Sequence, residues 1–415
     1  MNDTPVSVVV VSRGRPEALM RCLLGLSQVQ YAPFEIIVVA DPRGVKAATK
    51  MPFSDHLKIL PFYEANISAA RNLGLTHAAG EIVAFIDDDA VPEPKWLKHL
   101  VAPAARANVA AMGGFVRGRN GISFQWRARS LDALGEAHHL DVHAKQATVL
   151  SPPEGLAVKT EGTNMAFRRS VLMDLGGFDS AFHYFLDETD LNMRLARAGH
   201  ATAIVPLAEV HHGFAANAMR TQARVPRDLF DIGASWAVFQ RKHIPQPERA
   251  AQWKRLRTSE RDRLLRHLVG GGLEPCDIGH LMARLDAGYT EGTTRPYGQA
   301  ALPAHPVSAF ELFPSVKRRS TLIVTWPWRR GADRAEAAAR VKSDAIVTLL
   351  NFSPTTLFHH LKFTSDGIWL QKGGLFGRSD RDAPLFQLTT RARRSEKERF
   401  RVALQRGLHN NDTIG

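Results

Sequence analysis

The stretch Glu81–Pro92, EIVAFIDDDAVP, constrains this chain more than any other. An apolar run, Ile82 to Ile86, leads straight into Asp87, Asp88 and Asp89, and a proline-bearing turn follows. Short apolar runs bounded by turn signals read as buried strands. In open α/β sheets, ligands gather just outside the carboxyl ends of such strands. Three adjacent carboxylates repel one another. A hard divalent cation such as Mg2+ or Mn2+ would relieve that repulsion while bridging the carboxylates to a substrate phosphate. The plainer alternative is a solvated acidic turn.

With 415 residues the chain is long enough for two or three domains, each with its own core. No apolar run approaches the ~18–20 residues that cross a bilayer, and the N-terminus lacks the layout of a signal peptide. Cys22 and Cys276 lie far apart, which gives no disulfide framework and suits a reducing compartment. The expectation is a cytoplasmic protein. The net charge of +13 is concentrated in two runs, Ala251–His267 and Arg391–Arg406. They read as solvated helix faces, or as a peripheral contact with the inner, anionic face of a membrane. Zinc-finger spacing, RNP-like aromatics and helix-turn-helix patterns are all missing, so nucleic acid is not expected as a partner.

Along the chain, PVSVVVV (5–11) predicts a buried strand ending at Ser12-Arg13-Gly14-Arg15, with a helix after Pro16. FEIIVV (34–39) is a second strand closing on Asp41, and a third is expected at Leu57–Leu60. Ser68 is placed to cap a helix that stops at Gly80. The aspartate strand follows, then a helical stripe from Trp96 and a strand at Val109–Val116. This alternation predicts a mostly parallel sheet covered on both faces. Arg13, Arg15, Asp41, Arg71 and Asp87–Asp89 then converge on one crevice. Such a crevice suits a nucleotide diphosphate whose charge is shared between metal and guanidinium groups. His138, His139 and His143 read as belonging to a loop or short helices, not to a second metal site. Asp187, Glu188 and Asp190 open a short amphipathic helix ending at Gly199. They either complement its dipole or supply a general base. His211 and His212 follow a short strand at Ala203–Pro206, where an imidazole could complete a metal site or be incidental.

Taken in order, residues 5 to about 215 resemble the family 2 glycosyltransferases of the GT-A fold. The resemblance rests on VSVVVVSRGRPEALMRCLLGL, NISAARNLGL, FIDDDAVPEPKWL, TNMAFRR with GGFD, DETDLNMRLARAG and VHHG. It implies a nucleotide-binding sheet and inverting transfer of one sugar from a nucleotide-diphosphate sugar to a glycan or glycolipid hydroxyl. Asp87 and Asp89 take the role of the Asp-x-Asp metal motif, with Mn or Mg as cofactor and His211 as a further ligand. Ser12, Arg13, Arg15, Asp41, Arg71 and Asp88 fall on the donor side, and Asn164 on the acceptor side. The base position falls on Glu188, with Asp187 and Asp190 as further candidates, because the family's usual Glu-Asp is Asp187-Glu188 here. The turn after the second strand, Ala40-Asp41-Pro42, also departs from the family's pattern and weakens the assignment of Asp41. No Gln-x-x-Arg-Trp follows the histidines, which argues against a processive synthase.

The expected organisation is α/β throughout. A GT-A unit spans residues 1–245, a basic helical segment with a Gly-, Thr- and Pro-rich linker spans 246–305, and a small α/β module with a basic tail spans 306–415. Trp326, Trp328, Phe358 and Trp369 in that module read as core aromatics, with stacking on an acceptor sugar as the alternative. The rival functions are a nucleotidyltransferase and a nucleotide- or glycan-binding scaffold without turnover. The first wants a Gly-rich loop with a Lys, which Ser12–Arg15 imitates poorly. The second has no need of a base.

Overall fold

The computed structural model describes residues 4–298, 302–409 and 412–414. Its first part is built from Val6–Ser12 (β1), Pro16–Leu26 (α1), Phe34–Ala40 (β2), Pro42–Ala48 (α2), Leu57–Pro61 (β3), Ile67–His77 (α3) and Ile82–Asp87 (β4). Strand β1 pairs in parallel with both β2 and β4, and β2 with β3. Because the sheet is covered on both faces, the strands are β-branched and apolar without alternation. Val6, Val8 and Val10 enter one core while Val9 enters the other. The register sets Ser12 opposite Ala40 and Val11 opposite Asp87, so the acidic turn shares an edge with Ser12 and Asp41. Helix α3 is capped by Asn66, whose side chain accepts from Ala69 N at 3.0 Å. Ser68, the expected cap, lies inside the helix and donates to Phe182 O at 2.7 Å. The helix also ends at His77, short of Gly80. A Cβ on Gly80 would lie 2.6 Å from Ser7 N, so this glycine serves a close crossing rather than a helix stop.

The chain continues through Ala90–Pro92 (β5), Trp96–Leu100 (α4), Val109–Arg117 (β6), Phe124–Trp126 (β7), Arg129–Leu131 (β8), Ala137–His139 (β9), Thr148–Leu150 (β10), Ala157–Lys159 (β11), Asn164–Arg168 (β12), Arg169–Asp174 (α5), Asp187–Arg197 (α6) and Ala201–His212 (β13). The main sheet runs β10-β13-β6-β12-β4-β1-β2-β3, with β5 on β13 and β7 on β6. It is mostly parallel as expected; β12 runs antiparallel between β4 and β6. The His-rich stretch forms short strands in place of short helices, with β8, β9 and β11 making a small separate sheet. Strand β13 is far longer than the four residues expected and carries the two histidines at its end. Its register against β6 jumps between Val205 and Glu209.

Three helices follow: Phe230–His243 (α7), Gln246–Val269 (α8) and Pro275–Gly292 (α9). Helices α7 and α9 cross closely, since a Cβ on Gly288 would meet Phe230 O at 1.9 Å. The basic run in α8 is largely exposed, as a solvated face should be. Within the expected helical segment and linker, 246–305, helix continues to Gly292, and positions 299–301 lie outside the described residues. From 302 the chain straps across the first unit. Val307 N donates to Thr76 O at 2.9 Å, and buried Phe313 packs between Phe34 and Phe53.

The C-terminal part comprises Arg319–Thr325 (β14), Arg330–Lys342 (α10), Ala345–Ser353 (β15), His360–Phe363 (β16), Trp369–Gly374 (β17), Arg391–Arg406 (α11) and Thr413–Ile414 (β18). They form a five-stranded sheet in the order β16-β17-β15-β14-β18. The basic run Arg391–Arg406 is not a solvated face. Arg394, Arg399 and Arg406 are buried, and Arg406 makes a two-pronged pair with Glu93 at 2.7 and 2.9 Å while Trp369 covers its guanidinium. This pair, together with Gln28 on Gly367 O and on Trp369, locks the second sheet to the first. Removing one partner of a buried pair strands the other. Arg406→Met is therefore expected to lower unfolding free energy by about 3–5 kcal/mol, read by urea denaturation, with Glu93→Gln in the same background recovering part of the loss.

Candidate functional site

The acidic turn divides its three carboxylates among different tasks. Asp88 is fully buried and accepts from Ser12 Oγ at 2.7 Å and from Arg15 at 2.5 and 3.1 Å. Burial pushes its carboxyl up to about 7, with Arg15 pulling against that shift. Ser12, Arg15 and Asp88 are thus committed to one another and fix the turn to the end of β1. Asp89 meets Arg15 Nη1 at 3.3 Å and Ala215 N at 2.9 Å. Burial disfavours its charge, but His212, Arg15 and the Ala215 amide outweigh it and hold the carboxyl well below the usual range. Asp87 stays partly exposed and accepts from Thr163 Oγ1 at 2.6 Å.

Ligand atoms of Asp87, Asp89 and His212 lie within 4.8 Å of one another. His212 Nδ1 is 3.0 Å from Gln125 Oε1, which leaves Nε2 turned toward the aspartates. His212 Nε2 faces Asp89 Oδ1 at 3.3 Å, and both atoms are buried with no hydrogen-bond partner besides one another. Two carboxylates and an imidazole nitrogen at this spacing make a donor set that fits a divalent cation. A ligating histidine whose other nitrogen donates to an oxygen is the usual arrangement at a metal.

His211, the histidine expected at the metal, points the other way along β13. Its Nε2 meets Glu93 Oε1 at 2.7 Å and its ring packs on Trp369. Successive strand residues face opposite sides, so only one of the pair can reach the aspartates. Asn164, expected on the acceptor side, lies inside the sheet. It is buried, spends its Nδ2 on Phe115 O and Ala208 O, and accepts from Trp96 Nε1, bracing three strands. Asp41 caps α2 through Gly44 N and receives Gly14 N at 3.1 Å, while exposed Arg13 reaches Tyr63 O.

Asp187 and Glu188 begin α6 after two consecutive left-handed residues, Phe185 (φ 73°) and Leu186 (φ 66°). Neither is glycine, so this is stored backbone strain at the helix start. Arg71, buried between them and the turn, pairs with Asp187 and approaches Asp87 at 3.5 Å. Burial and Glu188 push Asp187 up, to about 7, against the pull of Arg71. Burial opposes the charge on Glu188 too, but Lys159, at 3.2 Å, and Arg71 prevail and hold it at about 2. Asp190 faces away from this group. It is fully buried and accepts from His243 at 2.7 Å, Lys242 at 2.9 Å and Arg194 at 2.9 Å. Asp87, His212, Arg71, Asp187, Glu188 and Lys159 all line one cleft of about 1090 Å³, with part of α8 as its far wall.

Residues 4–228 match the family described as glycosyltransferase like family 2. The chain belongs to this family. A pre-mycofactocin glycosyltransferase of Mycobacterium tuberculosis is 28% identical over 241 residues, covering 55% of this chain and 46% of that protein. An O-antigen biosynthesis protein of Myxococcus xanthus is 29% identical over 228 residues, covering 48% of this chain and 16% of that one. The chain therefore spans less than half the length of either relative. Among solved structures, a mannosyltransferase of Pyrobaculum calidifontis in complex with GDP-Man and Mn2+ aligns at 16% identity and a TM-score of 0.39, covering 70% of this chain and 87% of that one.

Within this family 2 chain, sequence reasoning chose His211 over its neighbour His212 and missed Gln125, Thr163 and Lys159. The alternation along β13 would have separated the two histidines, but the register jump before Glu209 hides its phase. Lys159 sits on a strand too short to be read. No signal in the sequence marks Gln125. The role of Asp190 is testable by linkage. Burial disfavours its charge, but His243, Arg194 and Lys242 hold its carboxyl below the ordinary 3.8. A depressed carboxylate stabilises the fold above its unfolded value, and that contribution is lost as pH falls. Asp190→Asn is expected to cost about 3 kcal/mol near neutrality, with the gap from wild type narrowing below about pH 4 in unfolding titrations.

Proposed function

We propose that the protein is an inverting glycosyltransferase that moves a single sugar from a nucleotide-diphosphate donor to a hydroxyl of a glycan or glycolipid. The observation that carries this reading is the shared cleft, with Asp87 and His212 of the Asp87–Asp89–His212 cluster on one wall and the Asp187–Glu188 carboxylates on another. Relatives named for pre-mycofactocin, for O-antigen and for glucosyl-dolichyl phosphate support transfer to acceptors of this broad kind. The nucleotide is assigned to the end of β1, where Arg13, Gly14 and Asp41 meet. Asp87, Asp89 and His212 would hold a divalent cation. When bound, such a cation neutralises charge developing on the leaving diphosphate.

Glu188 is the base in this reading. Asp187 is occupied by Arg71 and is nearly inaccessible, whereas Glu188 retains some exposure in the cleft. It accepts the proton as the acceptor oxygen attacks the anomeric carbon in line, and the diphosphate leaves from the opposite side. Lys159 keeps Glu188 ionised across the neutral range and orients it through a further bond to Thr189 Oγ1 at 2.9 Å. Asp187, locked to Arg71, ties the first turn of α6 to the acidic turn.

Two sets of variants test the assignment. Asp89→Ala or His212→Ala is expected to weaken Mn2+-dependent binding of a nucleoside diphosphate about 100-fold in calorimetry. Glu188→Gln should leave that binding intact and lower the rate constant for transfer by about 10²–10⁴-fold. Native transfer rates in all three variants would refute the site. Lys159→Met removes the nearest cation from Glu188, so its carboxyl rises from about 2 toward the ordinary 4.5. The acid limb of kcat/KM should then move to higher pH while the alkaline limb stays in place.

A further inference from the structure

Strands β14, β15 and β17 are parallel, so the loops that follow them leave the second sheet from one edge. Each of these loops exposes large apolar side chains. After β14 comes Trp328, 75% exposed, stacked on Trp326. After β15 come Leu357 at 64% and Phe358 at 51%. After β17 come Leu385 at 62%, Phe386 at 56% and Leu388 at 85%. The loops are ordered against one another by main-chain bonds. Gly374 N donates to Leu357 O at 2.9 Å, Phe376 N to Thr355 O at 3.1 Å and Gln387 N to Phe376 O at 3.0 Å. The last loop enters α11, whose Arg391 lies over Trp326 at 3.7 Å. A concentration of apolar surface on one edge of a folded unit marks an interaction site.

The charges on this edge narrow the partner. Arg330, Arg378, Arg381 and Arg393 have no carboxylate partner among the described residues, and the three loops contribute only Asp380 and Asp382 of opposite sign. Arg378 lies over the Phe358 ring at 4.5 Å, placing a cation directly beside exposed apolar surface. Trp326 is engaged by its neighbours, stacked on Trp328 and carrying the Arg391 guanidinium over its ring, and most of the exposed apolar surface here is leucine and phenylalanine, which suits lipid better than a sugar. Bare leucines ringed by arginines suit acyl chains beneath anionic headgroups.

We propose that this loop edge docks the protein on an anionic lipid bilayer, with Trp328, Phe358, Phe386 and Leu388 entering the interface and the arginines meeting phosphate headgroups. Of the two basic runs singled out in the sequence, the docking takes only Arg393 at the start of the second, whose later arginines Arg394, Arg399 and Arg406 are buried, and nothing from the first, which is largely exposed and in part lines the cleft. It needs neither donor nor metal, so its test stands or falls apart from the glycosyltransfer reading.

The test is co-flotation of the full chain with vesicles of phosphatidylcholine alone and of phosphatidylcholine with an equal part of phosphatidylglycerol. Binding to the mixed vesicles is expected, at least tenfold stronger than to the neutral ones and weakening as salt is raised. The double variant Trp328→Ser/Leu388→Ser should lower it at least tenfold without shifting the thermal midpoint, since both side chains are exposed. Arg378→Ser/Arg393→Ser should lower binding to mixed vesicles and weaken its salt dependence, with Arg330 and Arg381 left in place. Absence of flotation, or flotation unchanged in the Trp328/Leu388 variant, overturns the proposal. So would a dimer in light scattering that this variant dissolves, because the edge would then be a self-association surface.

Discussion

Asp87, Asp88 and Asp89 repel one another, and the way the fold resolves that repulsion organises everything around it. Each carboxylate is turned to a different partner: Asp88 to Ser12 and Arg15, Asp89 to Arg15 and His212, Asp87 to Thr163 and Arg71. Those partners come from β1, the segment before β12, α3 and β13, so the turn acts as the point where separate elements are tied. Two arginines carry the arrangement. Arg15 serves the turn from one side. Arg71 serves it from the other and extends the same network to Asp187 on α6. The turn thus holds three carboxylates against two arginines and one histidine, with Arg71 shared between Asp87 and Asp187.

Behind the site a second line of charge runs His211, Glu93, Arg406, Thr348. It is buried throughout and joins the strand bearing His212 to the C-terminal sheet. The histidine pair at the end of β13 thus has two jobs on two faces. One ring looks into the cleft, and its neighbour anchors the second sheet behind it.

Much of this was legible in the sequence where local chemistry repeats. The β-branched run at Val6–Val11, the apolar approach to Asp87 and the carboxylates opening α6 predicted a mostly parallel sheet with a polar edge, and the order of six motifs predicted the family. What stayed hidden depended on phase and on distance. The side of β13 that each histidine faces depends on an irregular register after Val205. The burial of Asn164 depends on Trp96, 68 residues away. Asp190 and Glu188 differ by two positions on one helix, which sends one to a buried cluster and the other to the cleft. The basic run at Arg391–Arg406 looked solvated because its partners, Glu93 and Glu209 among them, lie far back in the chain.

The left-handed pair Phe185–Leu186 has a bearing on how such a protein responds to selection. Each side chain there costs roughly 1–2 kcal/mol relative to an unstrained turn. Glycine at either position would release that strain, although it would also loosen the unfolded chain. The turn is nonetheless what aims Asp187 and Glu188 into the cleft, helped by Ser235 holding Tyr184 O at 2.8 Å and Trp236 packing on Phe185. Variants chosen only for thermal robustness are free to relax this turn, whereas variants chosen for turnover must keep it tense. Screens run under the two pressures should therefore part company at residues 185 and 186, which line the same cleft as Asp87 and His212.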